Sequence, residues 1–349
     1  YIQDSVPPQA SYEERPGLWV EGNQWPIQSQ TINFNLSSGG QLTDVKTKGK
    51  VSVQSPLTTG SASGEYCVIW CGPDFPTDQR QDDINSICFD TEPLENSISI
   101  LGACELKLAI TSDQDCGQVV VRLCDVSPSG SSKRISYGVL NLAMRNGLDC
   151  PKQVVAGEVM GVSIKLDDTG YEIPVGHKLR LAVSTAYFPL IWPAPKKAKL
   201  TLDLASSCLT IPCHDRSATL VRDLGQGYVC PVKKTKKIRP EKHDRVIQTD
   251  VRDGLVTTKI NDDFGKYTFL EHNLTVGESC NEIHSILPDD PCSAISECSW
   301  HAQQSRPGWN VNVYTQLKVT CDAEYFYLNS SIEALENGVQ IHQSQSQEK

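Results

Sequence analysis

The sequence predicts an all-β protein whose expected architecture is a β-sandwich or jelly roll. Short runs in which apolar and polar residues alternate recur along the chain, so each predicted strand buries one face. Turn-forming clusters separate these runs, for example at residues 128–130, 167–170 and 174–176. No amphipathic helical pattern of about 12 residues is present, and the best short helical candidate spans residues 80–86. Many short strands with such turns between them are typical of β-sandwiches.

Six alternating runs define the strands of the first region. Their apolar sets are Ile32, Phe34 and Leu36; Leu106, Leu108 and Ile110; Val119, Val121 and Leu123; Val162, Ile164 and Leu166; Leu179, Leu181 and Val183; and Leu200, Leu202 and Leu204. A second β region follows, with a hairpin over residues 246–260 that turns at Asp253-Gly254. Alternation over residues 311–319 predicts a long strand, and another begins at residue 325.

Charge and composition limit the possible partners. The net charge is −10 and the pI is about 5.2, which argues against nucleic acid as the main partner because phosphate binding needs a basic face. No run of about 18 apolar residues is present, so no membrane span is expected. The one basic run, residues 232–245, is either a solvated linker or a docking patch for an acidic partner or membrane surface. Since the first residue is Tyr1, either a signal peptide has been removed or the chain is cut from a longer precursor, and we expect the second.

Cysteine content and glycosylation sequons together favour a secreted protein with disulfides. The chain has 14 cysteines, and sequons begin at Asn35, Asn273 and Asn329. A cytosolic protein with buried thiols is the alternative. The spacing of Cys67 from Cys71, and of Cys292 from Cys298, lacks the paired CxxC of structural zinc sites. We therefore predict neither metal nor cofactor.

The sequence contains no recognisable catalytic motif. The G-x-S-x-G string that a hydrolase nucleophile needs is absent, because Ser163 and Ser279 lie in ordinary strand or loop sequence. A Cys–His nucleophile pair stays open, but the seven histidines are scattered and each is more simply a surface or core residue. Three Asp-Asp pairs, which begin at residues 82, 262 and 289, indicate turn and cap chemistry, with calcium as the alternative. We predict no catalytic residue.

An aromatic and proline-rich segment spans residues 187–195. Its prolines remove backbone donors, so the segment belongs at an edge or crossover. It is either a rim that contacts a substrate or another domain, or a strand end that fills the core. The candidates for an interface or cleft wall are Tyr187, Phe188, Leu190 and Trp192.

Several stretches resemble, in the right order, the C-terminal region of CocE/NonD hydrolases, the group of cocaine esterase and Xaa-Pro dipeptidyl-peptidases. They are Gln3-Asp-Ser-Val-Pro-Pro8, Glu14-Arg-Pro-Gly-Leu-Trp19, Pro76-Thr-Asp-Gln-Arg-Gln-Asp-Asp83, Cys88-Phe-Asp-Thr-Glu-Pro-Leu94, Arg122-Leu-Cys-Asp-Val126, Gly138-Val-Leu-Asn-Leu142, Gly176-His-Lys-Leu-Arg-Leu181 and Pro189-Leu-Ile-Trp-Pro193. The resemblance runs from residue 1 to about residue 210. Residues 243–335 resemble, less strongly, an extension found in longer members, through Ser285-Ile-Leu-Pro-Asp-Asp-Pro291.

The resemblance implies a galactose-binding-like jelly roll and a catalytic Ser, Asp and His upstream of Tyr1, in a hydrolase domain of the same precursor. It also implies that Cys124 is a buried thiol, as Cys can be at this strand in the family. The domains are then a jelly roll at 1–212, a basic linker at 213–245, a β-rich extension at 246–336 and a flexible tail at 337–349.

Two functions follow. The chain is the non-catalytic β portion of a secreted ester or Xaa-Pro hydrolase, inactive alone, with homo-oligomerisation possible. The alternative is a secreted structural or carbohydrate-binding β protein, since jelly rolls serve both.

Overall fold

The computed structural model describes residues 1–22, 25, 30–66, 72–215 and 225–349. Two compact units are present. We call Tyr1–Glu65 with Phe75–Gly225 the sandwich unit, and Tyr66–Asp74 with Gln226–Lys349 the single-sheet unit. Both are built from β-strands, as the alternating pattern predicts. Within the described ranges, no helix is both long and apolar enough to cross a membrane.

The described residues of the sandwich unit form fourteen strands and one short helix. The strands are β1 (Ile2–Gln3), β2 (Gly17–Leu18), β3 (Gln30–Leu36), β4 (Leu42–Thr43), β5 (Lys50–Val53), β6 (Ile87–Asp90), β7 (Ile98–Gly102), β8 (Glu105–Ser112), β9 (Gln118–Val126), β10 (Ser132–Asn141), β11 (Met160–Lys165), β12 (Thr169–Ile173), β13 (Lys178–Ser184) and β14 (Leu200–Cys213). The helix α1 (Arg80–Asp83) lies within the predicted helical candidate. A 3₁₀ turn, Leu142–Met144, follows β10.

These strands form two sheets around one core. The larger sheet has the order β11-β8-β14-β7-β12-β1-β2, with β3 and β5 also paired to β14 and β4 paired to β3. The smaller sheet has the order β10-β9-β13-β6. Buried residues of the two sheets, such as Leu108 and Leu200 from one and Val121 and Leu181 from the other, belong to one apolar cluster. This arrangement is a β-sandwich.

Two strands depart from simple alternation, each for a physical reason. Along β14, burial passes from Leu204 to Ser207 where the register against β8 shifts, so a bulge changes the buried phase. β9 is buried along both faces, because its second face, which includes Arg122, lies under α1 rather than in water. The expectation that β9 is half buried is therefore wrong.

The single-sheet unit is one antiparallel sheet of long strands joined mostly by hairpins. Its strands are β15 (Thr235–Arg239), β16 (Lys242–Thr249), β17 (Val256–Phe269), β18 (Leu274–Ile286), β19 (Ile295–Arg306), β20 (Trp309–Cys321), β21 (Phe326–Glu336) and β22 (Val339–Glu348). Their order is β15-β17-β18-β19-β20-β21-β22, and β16 also pairs with β17. The predicted hairpin is confirmed, since Gly254 N–H donates to the Asp250 carbonyl in the turn between β16 and β17.

Two segments of the predicted domain plan are ordered strands. Residues assigned to the basic linker form β15 and part of β16, and the basic side chains find partners such as Asp263, which Arg239 contacts at 2.7 Å. Residues assigned to the flexible tail form β22, paired with β21 along its length. The linker and tail assignments are therefore wrong, because ladder hydrogen bonds to a neighbouring strand outweigh an unfavourable local composition.

Candidate functional site

Asp125, at the end of β9, connects three separate parts of the sandwich unit. The hydroxyls of Ser5 and Tyr171 donate to its Oδ2 over 2.6 and 2.8 Å. His177 Nδ1 lies 2.7 Å from its Oδ1. Asp125 is 3% exposed, so these partners satisfy a carboxylate that water barely reaches.

The residue types of this cluster are those of a serine-hydrolase triad, but their arrangement is different. In a triad the histidine lies between the serine and the aspartate, and its ring accepts the serine proton. Here the carboxylate of Asp125 lies between Ser5 and His177 and holds both. Ser5 donates to the carboxyl group and not to the imidazole, so His177 cannot take its proton in this arrangement, and the cluster ties the first residues to β9.

A cleft of about 470 Å³ opens beside Asp125. Its lining includes Ser5, Pro8, Ser127, Lys133 and His177. Burial, together with the charge of Arg15, lowers the pKa of Lys133 to about 8. The ammonium lies 5.1 Å from the centre of the Tyr12 ring, which partly offsets its lost hydration. The cleft can bind a small polar group, and it offers hydroxyls and one cation for that purpose.

The aromatic segment runs from the core towards the surface. Tyr187 is fully buried, accepts a hydrogen bond from Arg134 over 2.6 Å and donates to Gln79 over 3.3 Å. Phe188 is 5% exposed, whereas Leu190 and Trp192 are half-buried. The sequence was compatible with either a rim or a core position for this segment. In the structure its first residues lie in the core and its later residues lie nearer the surface. Any contact with another domain would fall to Leu190 and Trp192, and this role stays a prediction.

A buried ionic network holds α1 against the smaller sheet. Arg122, whose side chain is fully buried, contacts Asp83 at 2.9 Å, and Arg180 contacts the other oxygen of Asp83 at 2.9 Å. Arg180 also binds Asp90 with two nitrogens, at 2.7 and 2.8 Å. Asp82 accepts the backbone N–H of Gly60 and Ala62, and burial raises its pKa. The Asp82-Asp83 pair therefore serves structure through long-range contacts, and the expected turn and cap role is wrong for this pair, because the cap residue of α1 is Gln79 and it makes no side-chain cap hydrogen bond.

Three cysteines of the sandwich unit are unsuited to nucleophilic chemistry. Burial raises the pKa of the Cys88, Cys104 and Cys124 thiols to about 12, so they stay protonated at neutral pH. Within the described ranges the structure contains no disulfide bond. Cys67 and Cys71 lie outside those ranges. Disulfides thus remain a prediction.

The three sequons lie in different environments. Asn35, on β3, is 8% exposed and its amide donates to the Asp44 carbonyl over 3.0 Å. Asn273 lies in the turn between β17 and β18, exposed and with φ of 46°. Asn329 is exposed on β21 and lines a cavity of about 680 Å³ in the single-sheet unit. A glycan fits Asn273 most readily, and occupancy remains a prediction.

The structure also assembles a cluster that chain spacing did not indicate. Cys280 and Cys298 approach to 3.7 Å between their sulfurs, and Glu282 Oε1 lies 3.7 Å from the Cys280 sulfur. The cysteines are 18 residues apart, so no short motif could reveal them. The available signal was the period-two register of two strands joined by a hairpin.

Comparison with known proteins identifies relatives of the first two thirds of the chain. The profile of the X-Pro dipeptidyl-peptidase C-terminal non-catalytic domain matches residues 5–236. Cocaine esterase of Rhodococcus sp. (strain MB1 Bresler) is 24% identical over 188 residues, which cover 49% of this chain and 32% of the esterase. Xaa-Pro dipeptidyl-peptidase of Streptococcus pneumoniae serotype 19F (strain G54) is 34% identical over 106 residues, or 30% of this chain and 14% of the peptidase. The chain thus spans less than a third of the length of these relatives.

Solved structures match about half of the chain. An α-amino acid ester hydrolase aligns over 54% of this chain and 36% of its own, with a TM-score of 0.46 and 19% identity. A CocE/NonD family hydrolase of Staphylococcus aureus aligns over 59% and 40%, with a TM-score of 0.44 and 12% identity.

Proposed function

The chain belongs to the family of X-Pro dipeptidyl-peptidase C-terminal non-catalytic domains, and we propose that it is the β portion of a CocE/NonD-type hydrolase. In this proposal it supports a hydrolase domain and forms part of the wall of the substrate cleft. The hydrolase domain would supply Ser, Asp and His and would transfer the acyl group of an ester or an Xaa-Pro peptide to water. We also propose that the sandwich unit has the jelly-roll connectivity of this family.

The observation that carries the proposal is the match of residues 5–236 to a domain described as non-catalytic. The arrangement around Asp125 agrees with it, because the carboxylate separates Ser5 from His177. The chain therefore contributes shape and contacts to the proposed enzyme, while the bond-breaking chemistry lies in the hydrolase domain.

The first residues are packed into the sandwich, so a hydrolase domain joined to them would be held at a fixed position. Ile2 is fully buried, and β1 pairs with both β12 and β2. Ser5 is bonded to Asp125. A domain joined ahead of these residues would be attached to a rigid point of the sandwich, which suits a supporting role.

Half-buried Leu190 and Trp192 are the proposed contacts with the hydrolase domain. Trp192 packs edge-on against Phe188, with ring centres 6.1 Å apart, so a rigid interior residue backs it. An aromatic side chain that is pre-positioned in this way loses little conformational entropy when a partner covers it.

We further propose that the protein is secreted and that it can form a homo-oligomer. The 14 cysteines and the accessible sequon at Asn273 support secretion. Intact mass before and after deglycosylation and thiol alkylation is the check, and a mass equal to that of the bare reduced chain would contradict secretion.

The test of the main proposal begins with the coding sequence upstream of Tyr1. We expect it to encode a strand, a sharp turn with a nucleophilic Ser and a helix. A stop codon or signal peptide directly upstream would instead favour a structural or carbohydrate-binding protein. The full precursor should react with a fluorophosphonate at one serine, and the isolated chain should not. Stoichiometric labelling of a serine within this chain would overturn the proposal.

If the precursor is active, Trp192→Ala should weaken the binding between the hydrolase domain and this chain. The expected result is separation of the parts after proteolytic nicking, detected by size-exclusion chromatography. Trp309→Ala, in the single-sheet unit, is the matched control and should leave the nicked complex intact.

A further inference from the structure

The single-sheet unit carries soft and anionic ligand atoms that the proposed function does not use. Cys280 and Glu282 lie on one face of β18, and Cys298 lies on the same face of β19. The two sulfurs and a carboxylate oxygen are all within 4.8 Å of one another. We propose that Cys280, Cys298 and Glu282 bind a Zn²⁺ ion.

The strand register favours a metal over a disulfide. Cys280 is directly opposite Trp300, and Cys298 is directly opposite Glu282, so the cysteines are diagonal neighbours. Diagonal residues of an antiparallel pair are about 7–8 Å apart, whereas a disulfide joins Cα atoms about 4.4–6.8 Å apart. Closing a disulfide would therefore shift one of two strands whose pairing is continuous from Thr275 to Ser285.

The separation of the sulfurs matches a shared tetrahedral ion. Two Zn–S bonds of about 2.3 Å at the tetrahedral angle place the sulfurs about 3.8 Å apart. The observed separation is 3.7 Å. Each thiol would release its proton to solvent as its sulfur binds the ion, and Glu282 would supply a carboxylate oxygen. A fourth position would be available to water or a further ligand.

Neighbouring residues orient the carboxylate of Glu282. His284 Nε2 lies 3.1 Å from Glu282 Oε2, and its Nδ1 lies 2.8 Å from the hydroxyl of Ser296. With Nδ1 accepting from Ser296, Nε2 carries the proton and donates to Glu282. Carboxylates that bind a metal are commonly oriented by such a hydrogen bond from a neighbouring residue. The Glu282 oxygen nearer to Cys280 is left for the ion.

A cation would also offset the local negative charge. Asp262, which is 8% exposed, lies directly opposite Cys280 on β17 and is held by His243 at 2.8 Å. The two positive charges of the ion would offset the thiolates and the Glu282 carboxylate at a place where Cys280 is only 3% exposed. This proposal revises the expectation of no metal, which considered only spacing along the chain.

Cobalt titration of the full chain tests the proposal. The chain is reduced with a phosphine, stripped of metal with a chelator and titrated with Co²⁺. We expect one Co²⁺ per chain, thiolate-to-cobalt charge-transfer absorption, the visible bands of tetrahedral cobalt, and loss of all of these on adding Zn²⁺. Cys298→Ser and Glu282→Gln should abolish or weaken the absorption, and His284→Gln should lower affinity roughly 10–100-fold.

Controls separate a lost ligand from a lost fold. Cys230→Ser removes an exposed thiol of the same unit and should leave the titration unchanged. Zn²⁺ should raise the melting temperature of the wild-type chain and not that of Glu282→Gln, whose far-ultraviolet circular dichroism should match the wild type. The proposal is overturned if the cobalt absorption survives Cys298→Ser. It is equally overturned if native chain purified without reductant yields peptides joined by a Cys280–Cys298 disulfide.

Discussion

The two units of this protein consist mainly of antiparallel strands, yet they differ in how much apolar surface those strands bury. In the sandwich unit, two sheets face each other and bury long apolar side chains such as Leu106, Leu123 and Leu200 completely. In the described part of the single-sheet unit, the buried apolar residues are only Ile260, Cys280, Ile286 and Ala294. Most side chains of β19 and β20 are half-buried.

The difference shows that strand pairing and core formation are separate sources of order. Apolar burial contributes about 25 cal/mol per Å², so the sandwich unit gains most from its shared core. The single-sheet unit depends more on its ladders, its hairpin turns and the polar cluster around Cys280. Matched substitutions in the two units therefore test this difference.

The largest expected effect is loss of the buried arginine. Arg122→Met should lower the free energy of unfolding of the sandwich unit by about 3–5 kcal/mol, because it leaves the carboxylate of Asp83 buried without Arg122. Arg252→Met removes an arginine that is 85% exposed and paired with Asp250 in the other unit, and should change nothing measurable. Urea unfolding followed by peptide-level hydrogen exchange reports each unit separately. Equal losses in the two variants would contradict the comparison.

Core truncation should come next. Leu123→Ala, at a fully buried position, is expected to cost about 2–5 kcal/mol. Leu317→Ala, at a position 39% exposed on β20, should cost about 1 kcal/mol or less, since little area returns to water. The same exchange measurement applies. A larger loss for Leu317 would show that the single sheet has a covered face.

Turn chemistry should matter most where a sheet lacks a core. Gly338→Ala places a side chain at φ of 81° in the turn between β21 and β22 and should cost about 1–2 kcal/mol by backbone strain. Gly161→Ala, in β11, also enters open space but without a positive φ, and is the matched control. Faster amide exchange in β22 is the readout, and unchanged exchange would mean that the ladder tolerates the strained turn.

The smallest expected effect is a pH dependence localised to Lys133. Burial lowers its pKa to about 8 in the folded chain, from 10.5 in the unfolded chain. Between these pH values the unfolded state binds more protons than the folded state, so the free energy of unfolding should rise with pH. Below pH 8 the buried ammonium is charged and the full cost of burying that charge is present.

Comparison with Lys133→Met isolates this contribution from other titrating groups. The wild-type chain should gain stability relative to the variant as pH rises through 8, in urea unfolding of the sandwich unit. Lys165→Met removes a lysine at an exposed position of β11 and is the matched control. A constant difference for Lys133 would contradict its lowered pKa.

Local pattern determined much of what could be predicted. Alternation located β8, β11 and β13 because a strand that covers a core must place every second side chain inward. Asp253-Gly254 located a hairpin in the same way. Asn337-Gly338 carries the same hairpin signal ahead of β22, although the Gln- and Ser-rich composition of the following residues favours a flexible tail. The family resemblance likewise depended on short motifs in order.

Contacts between side chains that are distant in sequence could be identified only from the tertiary structure. Burial of Arg122, the central place of Asp125 between Ser5 and His177, and the approach of Cys280 to Cys298 all depend on strand register and sheet packing. A one-residue change of register would move each side chain to the opposite face. Register is set by the sum of many weak non-local contacts and turn geometries, and no short stretch of sequence contains that sum.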